Sequence, residues 1–162
     1  MKLNSIVMLL FVALLMACKG SAYDLSSYGL KPDTGENASP LMAKALQQIV
    51  AESNSDTVRI FLPKGRYDFY PTGSSEREYF ISNHDQDNPK QVGLAFENMK
   101  NVVFDGQGSE LVFHGRMLPV SLVGSDNCTL KNFSIDFANP HISQVKVLEN
   151  DTLGGMITYE VA

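Results

Sequence analysis

Tryptophan is absent from this 162-residue chain, cysteine occurs only twice, and no cluster of lysine and arginine breaks an overall charge of −5. Each absence excludes something. Without a basic stripe and with a pI near 5.1, the chain has no means of neutralising a phosphate backbone, so nucleic acid is not an expected partner. Without tryptophan, aromatic contact falls to nine Phe and six Tyr, and core packing is the expected use of most of the Phe. His84, His114 and His141 are too scattered to form a zinc set. Asp105-Gly106-Gln107-Gly108 lacks the following helix and the Lys-Ser/Thr pair of a phosphate loop, so it reads as a turn.

No apolar run is long enough to span a bilayer, which takes roughly 20 residues. The longest is the 11-residue stretch Ile6 to Met16, preceded by Met1-Lys2. That pattern makes residues 1–22 a secretory signal peptide and leaves residues 23–162 as the folded part. Two processing outcomes follow from the same residues. Leu15-Met16-Ala17-Cys18 fits a bacterial lipobox, with Cys18 as the lipidated first residue, whereas Gly20-Ser21-Ala22 is a small-x-small site that would release a soluble chain starting near Tyr23. The lipobox is the favoured reading, because a Cys at the edge of the apolar run has little other reason to be there. Export to the periplasm or outer membrane is the resulting expectation, with membrane contact only through that lipid. Cys128 is then unpaired and reads as a small buried filler.

What the chain does have is a repeat. Asn101-Val102-Val103 and Cys128-Thr129-Leu130 occupy matching places, as do Ala95-Phe96 and Leu122-Val123, both at a spacing of 27. A strand-and-turn unit of this length cannot bury its own apolar face and points to a solenoid. The expected fold is therefore all-β: a right-handed parallel β-helix, pectate-lyase-like, capped at its N-terminal end by a helix. Leu41, Met42, Ala45, Leu46, Ile49 and Val50 recur at helical spacing behind Ser39-Pro40, an N-cap and first-turn pair. Strands are predicted at 57–62, 93–96, 101–104, 110–113, 120–123, 128–137, 144–148 and 156–161, with a hairpin-like turn between the last two. A strand ending at Ala162 without a cap suggests the N-terminal part of a longer protein.

The opening Asp24-Leu25-Ser26-Ser27-Tyr28-Gly29-Leu30, the helix, and Phe61-Leu62-Pro63-Lys64-Gly65-Arg66-Tyr67 resemble the start of pectate-lyase-like β-helices. The run SNHDQDNPKQVGLAFENMKNVVFDGQGSELVFHGRMLPVSLVGSDNCTLKNFSIDF is more particular: it resembles the N-terminal region of glycoside hydrolase family 110, the bacterial exo-acting α-1,3-galactosidases. That resemblance implies an inverting enzyme acting on glycans with terminal α-galactose, without metal or organic cofactor. It also implies that the catalytic aspartates lie further along than this chain reaches, so that the fragment is inactive alone. Inversion requires two carboxyl groups roughly 6.5–9.5 Å apart on opposite sides of the sugar.

Four residues are candidates for substrate contact. Asn83, His84 and Asp85 sit in a long polar segment and could recognise sugar hydroxyls, though Asx-type loop bonding is the favoured reading. Asp136 alternates with Ile135 and Phe137 and so faces away from the core, where it could bind a galactose hydroxyl or simply cap the turn before Asn139-Pro140. His114-Gly115-Arg116 follows a strand, with Arg116 better suited to a structural carboxylate than to a neutral sugar. A carbohydrate-binding adhesin and a polysaccharide lyase remain as alternatives, the lyase weakened by the lack of an acidic calcium cluster in the sequence.

Overall fold

In the computed structural model, which describes residues 20–53, 57–80, 88–139 and 144–161, the strands are β1 Gly20–Asp24, β2 Thr57–Phe61, β3 Arg66–Phe69, β4 Ser75–Arg77 and β5 Lys90–Glu97, followed by β6 Val102–Phe113, β7 Leu118–Val123, β8 Thr129–Phe137, β9 Val145–Asp151 and β10 Met156–Val161. A 3-10 turn covers Leu25–Tyr28, and the one α-helix among the described residues, α1, covers Ser39–Glu52. No helix there is long and apolar enough to cross a membrane.

The alternation of Val58 and Ile60 with exposed Arg59 makes β2 a half-buried strand. It pairs in parallel with β1 on one side and with the first half of β6 on the other. β3 pairs with the second half of β6. Because Val103 and Glu110 each pair on both sides, β2 and β3 share one edge of β6 and β8 occupies the other. A second sheet of three strands joins β5 to β7 in parallel and to β4 antiparallel. β9 and β10 form a separate antiparallel ribbon, as the turn residues between them predict.

This architecture corrects the expected fold. The described residues form a mixed domain of a five-stranded parallel sheet, a three-stranded mixed sheet, a two-stranded ribbon and a 14-residue helix, not an all-β right-handed parallel β-helix. Two antiparallel pairings reverse the chain where a coil of a solenoid would continue in one direction. The repeat spacing also fails. Val103 pairs with Thr129 and Phe96 with Leu122, offsets of 26, while Leu111 pairs with Ile135, an offset of 24. The irregularity between Asp105 and Ser109 absorbs the difference. Asp105 to Gly108, read as a turn between strands, is a bulge inside one continuous β6, with Gln107 at φ 52° and Gly108 at φ 84°. A side chain at Gly106 would meet the Phe133 Cβ at 2.6 Å, so β8 can approach only because that position is glycine.

The helix begins one residue after its cap at Ala38, which offers no side-chain bond. Ser39, expected as the cap, instead donates its hydroxyl to the Tyr70 carbonyl at 2.7 Å. Met42, Ala45, Leu46 and Ile49 form the buried stripe, while Leu41 and Val50 at its margins stay 39% exposed. α1 packs against β5, β4 and the 3-10 turn. The core mixes aliphatic residues with aromatic ones, and most of the Phe are used in packing, as expected: Phe69, Phe96, Phe104 and Phe113 are fully buried, and Phe133 and Phe137 pack partly buried against them. Phe69 stacks on Phe113 at 4.9 Å, and Phe104 meets Phe96 and Phe133 edge-on at 5.6 Å. Cys128 packs partly buried against this core.

Candidate functional site

Tyr67 and Phe69 point into the core, so the alternation of β3 throws Arg66, Asp68 and Tyr70 onto the opposite face. Register then sets these side chains beside partners on β6 and β8. One row is Arg66, Glu110 and Ser134, and the next is Asp68, Val112 and Asp136. Backbone bonds from His114 N–H to the Phe69 carbonyl and from Ala138 N–H to the Phe113 carbonyl continue the pattern, giving a third row of Tyr70, His114 and Ala138. All three rows lie toward the C-terminal ends of parallel strands, a frequent place for binding groups in parallel sheets.

Asp68 organises the face. Its side chain is 9% exposed. Arg66 forks onto it, Nη2 to Oδ1 at 2.9 Å and Nε to Oδ2 at 3.2 Å, and His114 Nε2 bonds the same Oδ1 at 2.7 Å. The Arg66 guanidinium, helped by His114 and opposed by burial, holds the Asp68 carboxyl below the usual carboxylate range. An ionised carboxylate only accepts hydrogen bonds, so Nε2 of His114 carries the proton. The ring is further held by Tyr70, stacked at 4.1 Å and 8°. Tyr70 is fixed in turn through its backbone. Its N–H donates to Asn37 Oδ1 at 3.2 Å and Ser39 Oγ at 3.0 Å, where the helix starts.

A second polar cluster lies on the other sheet. Arg77 grips Glu97 through Nε and Nη2, both at 2.7 Å, and the Tyr79 hydroxyl donates to Glu97 Oε1 at 2.8 Å. Arg77 lowers the Glu97 carboxyl against the opposing effect of burial. The hollow beside it, about 220 Å³ and lined by Gln47, Val50, Arg77, Glu97 and Asn98 among others, falls below the ~300 Å³ of a usual ligand site. Its bidentate pairing joins β4 to β5 and is a structural clamp.

Of the residues singled out in the sequence, Asp136 is on the first face, exposed, with Oδ1 accepting the Phe137 N–H at 2.8 Å. His114 is there too. Asn83, His84, Asp85, His141 and Cys18 lie outside the described residues. Sequence reading passed over Asp68, Arg66 and Tyr70. Their signal was the alternation Arg66-Tyr67-Asp68-Phe69-Tyr70, which puts the polar members on one side. Among the described residues no group of three or more His, Cys, Asp or Glu is arranged to hold a metal.

No family model matches the chain. It is similar to a protein named alpha-1,3-galactosidase B from Parabacteroides distasonis, 63% identical over 158 residues, which is 93% of this chain and 26% of that protein. A protein of the same name from Phocaeicola vulgatus is 54% identical over 97% of this chain and 27% of its own length. Another, from Bacteroides fragilis strain NCTC 9343, is 59% identical over 86% and 24%. These similarities bear out the resemblance drawn from the run between Ser82 and Phe137. The chain spans about a quarter of the length of the curated relatives it matches.

Proposed function

We propose, on the premise that this chain is kin to the first portion of the bacterial α-1,3-galactosidases, that the whole protein is an exported glycoside hydrolase removing terminal α-1,3-linked galactose from glycans with inversion. The observation that carries this reading is the identity of 54–63% to proteins of that name across nearly the whole chain. In it, these residues supply scaffold and one wall of the sugar pocket. Asp68 is engaged by Arg66 and His114, which suits a structural role, and in this reading the catalytic carboxylates belong to the rest of the full-length protein, as the family resemblance implies. Hydrolysis of an α-1,3-galactosyl oligosaccharide, followed by NMR, is expected to release β-galactose first from the full-length protein and nothing from the 162-residue chain. α-Galactose appearing first would remove the inverting mechanism. Binding without release would replace the hydrolase by an adhesin.

The same proposal places the protein in the bacterial envelope as a lipoprotein anchored at Cys18. Support comes from β1. Its five residues pair with Thr57–Phe61, and cleavage after Ala22 would remove Gly20, Ser21 and Ala22, three of those five partners. Cleavage before Cys18 keeps them all. Mass spectrometry of the mature protein is expected to find a lipidated N-terminal Cys18. An N-terminus at Tyr23 would sink this part of the reading.

A further inference from the structure

We propose that the open face of the His114 ring, with Ala138 beneath it and Asp136 beside it, is a contact site for a neutral, galacto-configured pyranose. The site rests on the glycan reading above and deepens it. In the third row, Tyr70 covers one face of the imidazole at 4.1 Å. The neighbour on the other side is Ala138, placed there by its N–H bond to the Phe113 carbonyl. A single methyl group is too short to cover a ring, and the His114 side chain keeps 24% of its surface exposed. The ring is also prevented from turning, by Asp68 at 2.7 Å and by the stack with Tyr70, so a partner meets a preorganised surface and little further order is lost on binding.

The chemistry of such a surface matches a sugar. An aromatic face is electron-rich. The axial hydroxyl of galactose leaves the hydrogens of C3, C4 and C5 together on the opposite face, an electropositive apolar patch that suits it. Hydroxyls at the ring's rim need acceptors. Asp136 lies at the end of β8, two residues before Ala138, which follows the strand, a separation of about 6.6 Å for extended chain, and is outward in register with Asp68. One of its oxygens takes the Phe137 N–H, and the other can accept from a sugar hydroxyl. Glu110 and Asp136 on this face make it unfavourable for a uronate, so the geometry selects a neutral sugar.

The test uses the full-length protein and methyl β-D-galactopyranoside, which an α-galactosidase does not cleave, titrated by NMR. Ala138→Phe fills the space over the imidazole without touching the Asp68–His114 bond, and Asp136→Asn removes the charged acceptor while retaining a carbonyl for Phe137. Ala138→Phe is expected to weaken the probe about tenfold, the equivalent of ~1.4 kcal/mol, and to raise KM for the galactosyl oligosaccharide in step with little change in kcat. Asp136→Asn is expected to weaken it about threefold, or ~0.65 kcal/mol. Probe affinity and KM unchanged in both variants overturn the site. If Ala138→Phe does not fold, Asp136→Asn alone decides. The two readings separate cleanly: hydrolysis with an unaltered KM in the variants removes the site and leaves the enzyme, whereas Ala138-dependent probe binding without hydrolysis removes the enzyme and leaves the site.

Discussion

Phe113→Ala is expected to destabilise the full-length protein by about 3–5 kcal/mol, the usual cost of emptying a buried phenylalanine site. Phe113 is fully buried at the end of β6. It stacks on Phe69 of β3 at 4.9 Å and meets Phe137 of β8 at 6.0 Å. It also reaches the second sheet, since a Cβ at Gly93 of β5 would sit 2.4 Å from its Cε1. One ring therefore ties together three strands of one sheet and a strand of the other, and neighbours pinned by their own backbone ladders cannot collapse into the space it leaves. Gly93→Ala alone should cost about 1–3 kcal/mol through overpacking. Made in the Phe113→Ala background, the added methyl no longer meets the ring and keeps only its close approach to the Pro119 carbonyl at 2.9 Å, so the double variant is expected to lose less than the two single losses combined. Denaturant melts of the four proteins measure this. Strict additivity would show that the sheets are not coupled through this contact.

The parts of the fold legible in the sequence are those set by local pattern. The helix announced itself by Met42, Ala45, Leu46 and Ile49 on one stripe, and the terminal ribbon by the turn-forming residues between β9 and β10. The repeat was visible but misaligned. The spacing of 27 aligns Asn101 with Cys128, one residue off: the counterpart of Asn101 is Asn127, both with left-handed backbones, φ 54° and 51°, and Asn127 Nδ2 donates to Asn101 Oδ1 at 2.7 Å. Asparagine tolerates that conformation, which β-branched neighbours do not, so the asparagines, and not the apolar runs, mark the register. What was not legible is long-range. Nothing around Ser75–Arg77 signals an antiparallel partner in Lys90–Val92, because an aperiodic polar segment separates them. Asp68 and His114 are 46 residues apart, and only the pairing of β3 with β6 makes them neighbours.

Asp68→Asn is expected to cost about 2 kcal/mol at neutral pH, within the range for hydrogen bonds to charged groups and toward its lower part, because Arg66 remains 48% exposed and solvent can replace what it loses. The variant keeps the shape of the side chain and removes the charge that holds Arg66 and His114 together. The sign of the pH dependence follows from the wild-type environment. Arg66 keeps the folded carboxyl of Asp68 below its ordinary value, and Arg77 does the same for Glu97. In the unfolded chain both groups bind protons more readily than in the folded one, so stability rises with pH through this range. Their contribution is complete above the ordinary carboxylate values, near pH 4–5, and is lost as pH falls through the depressed folded values. Asp68→Asn removes one of the two contributions, so wild type and variant should differ most at neutral pH and converge in acid. Parallel melting curves, offset equally from pH 7 down to pH 3, would mean that the Asp68 carboxylate is not what fastens the end of β3 to the end of β6.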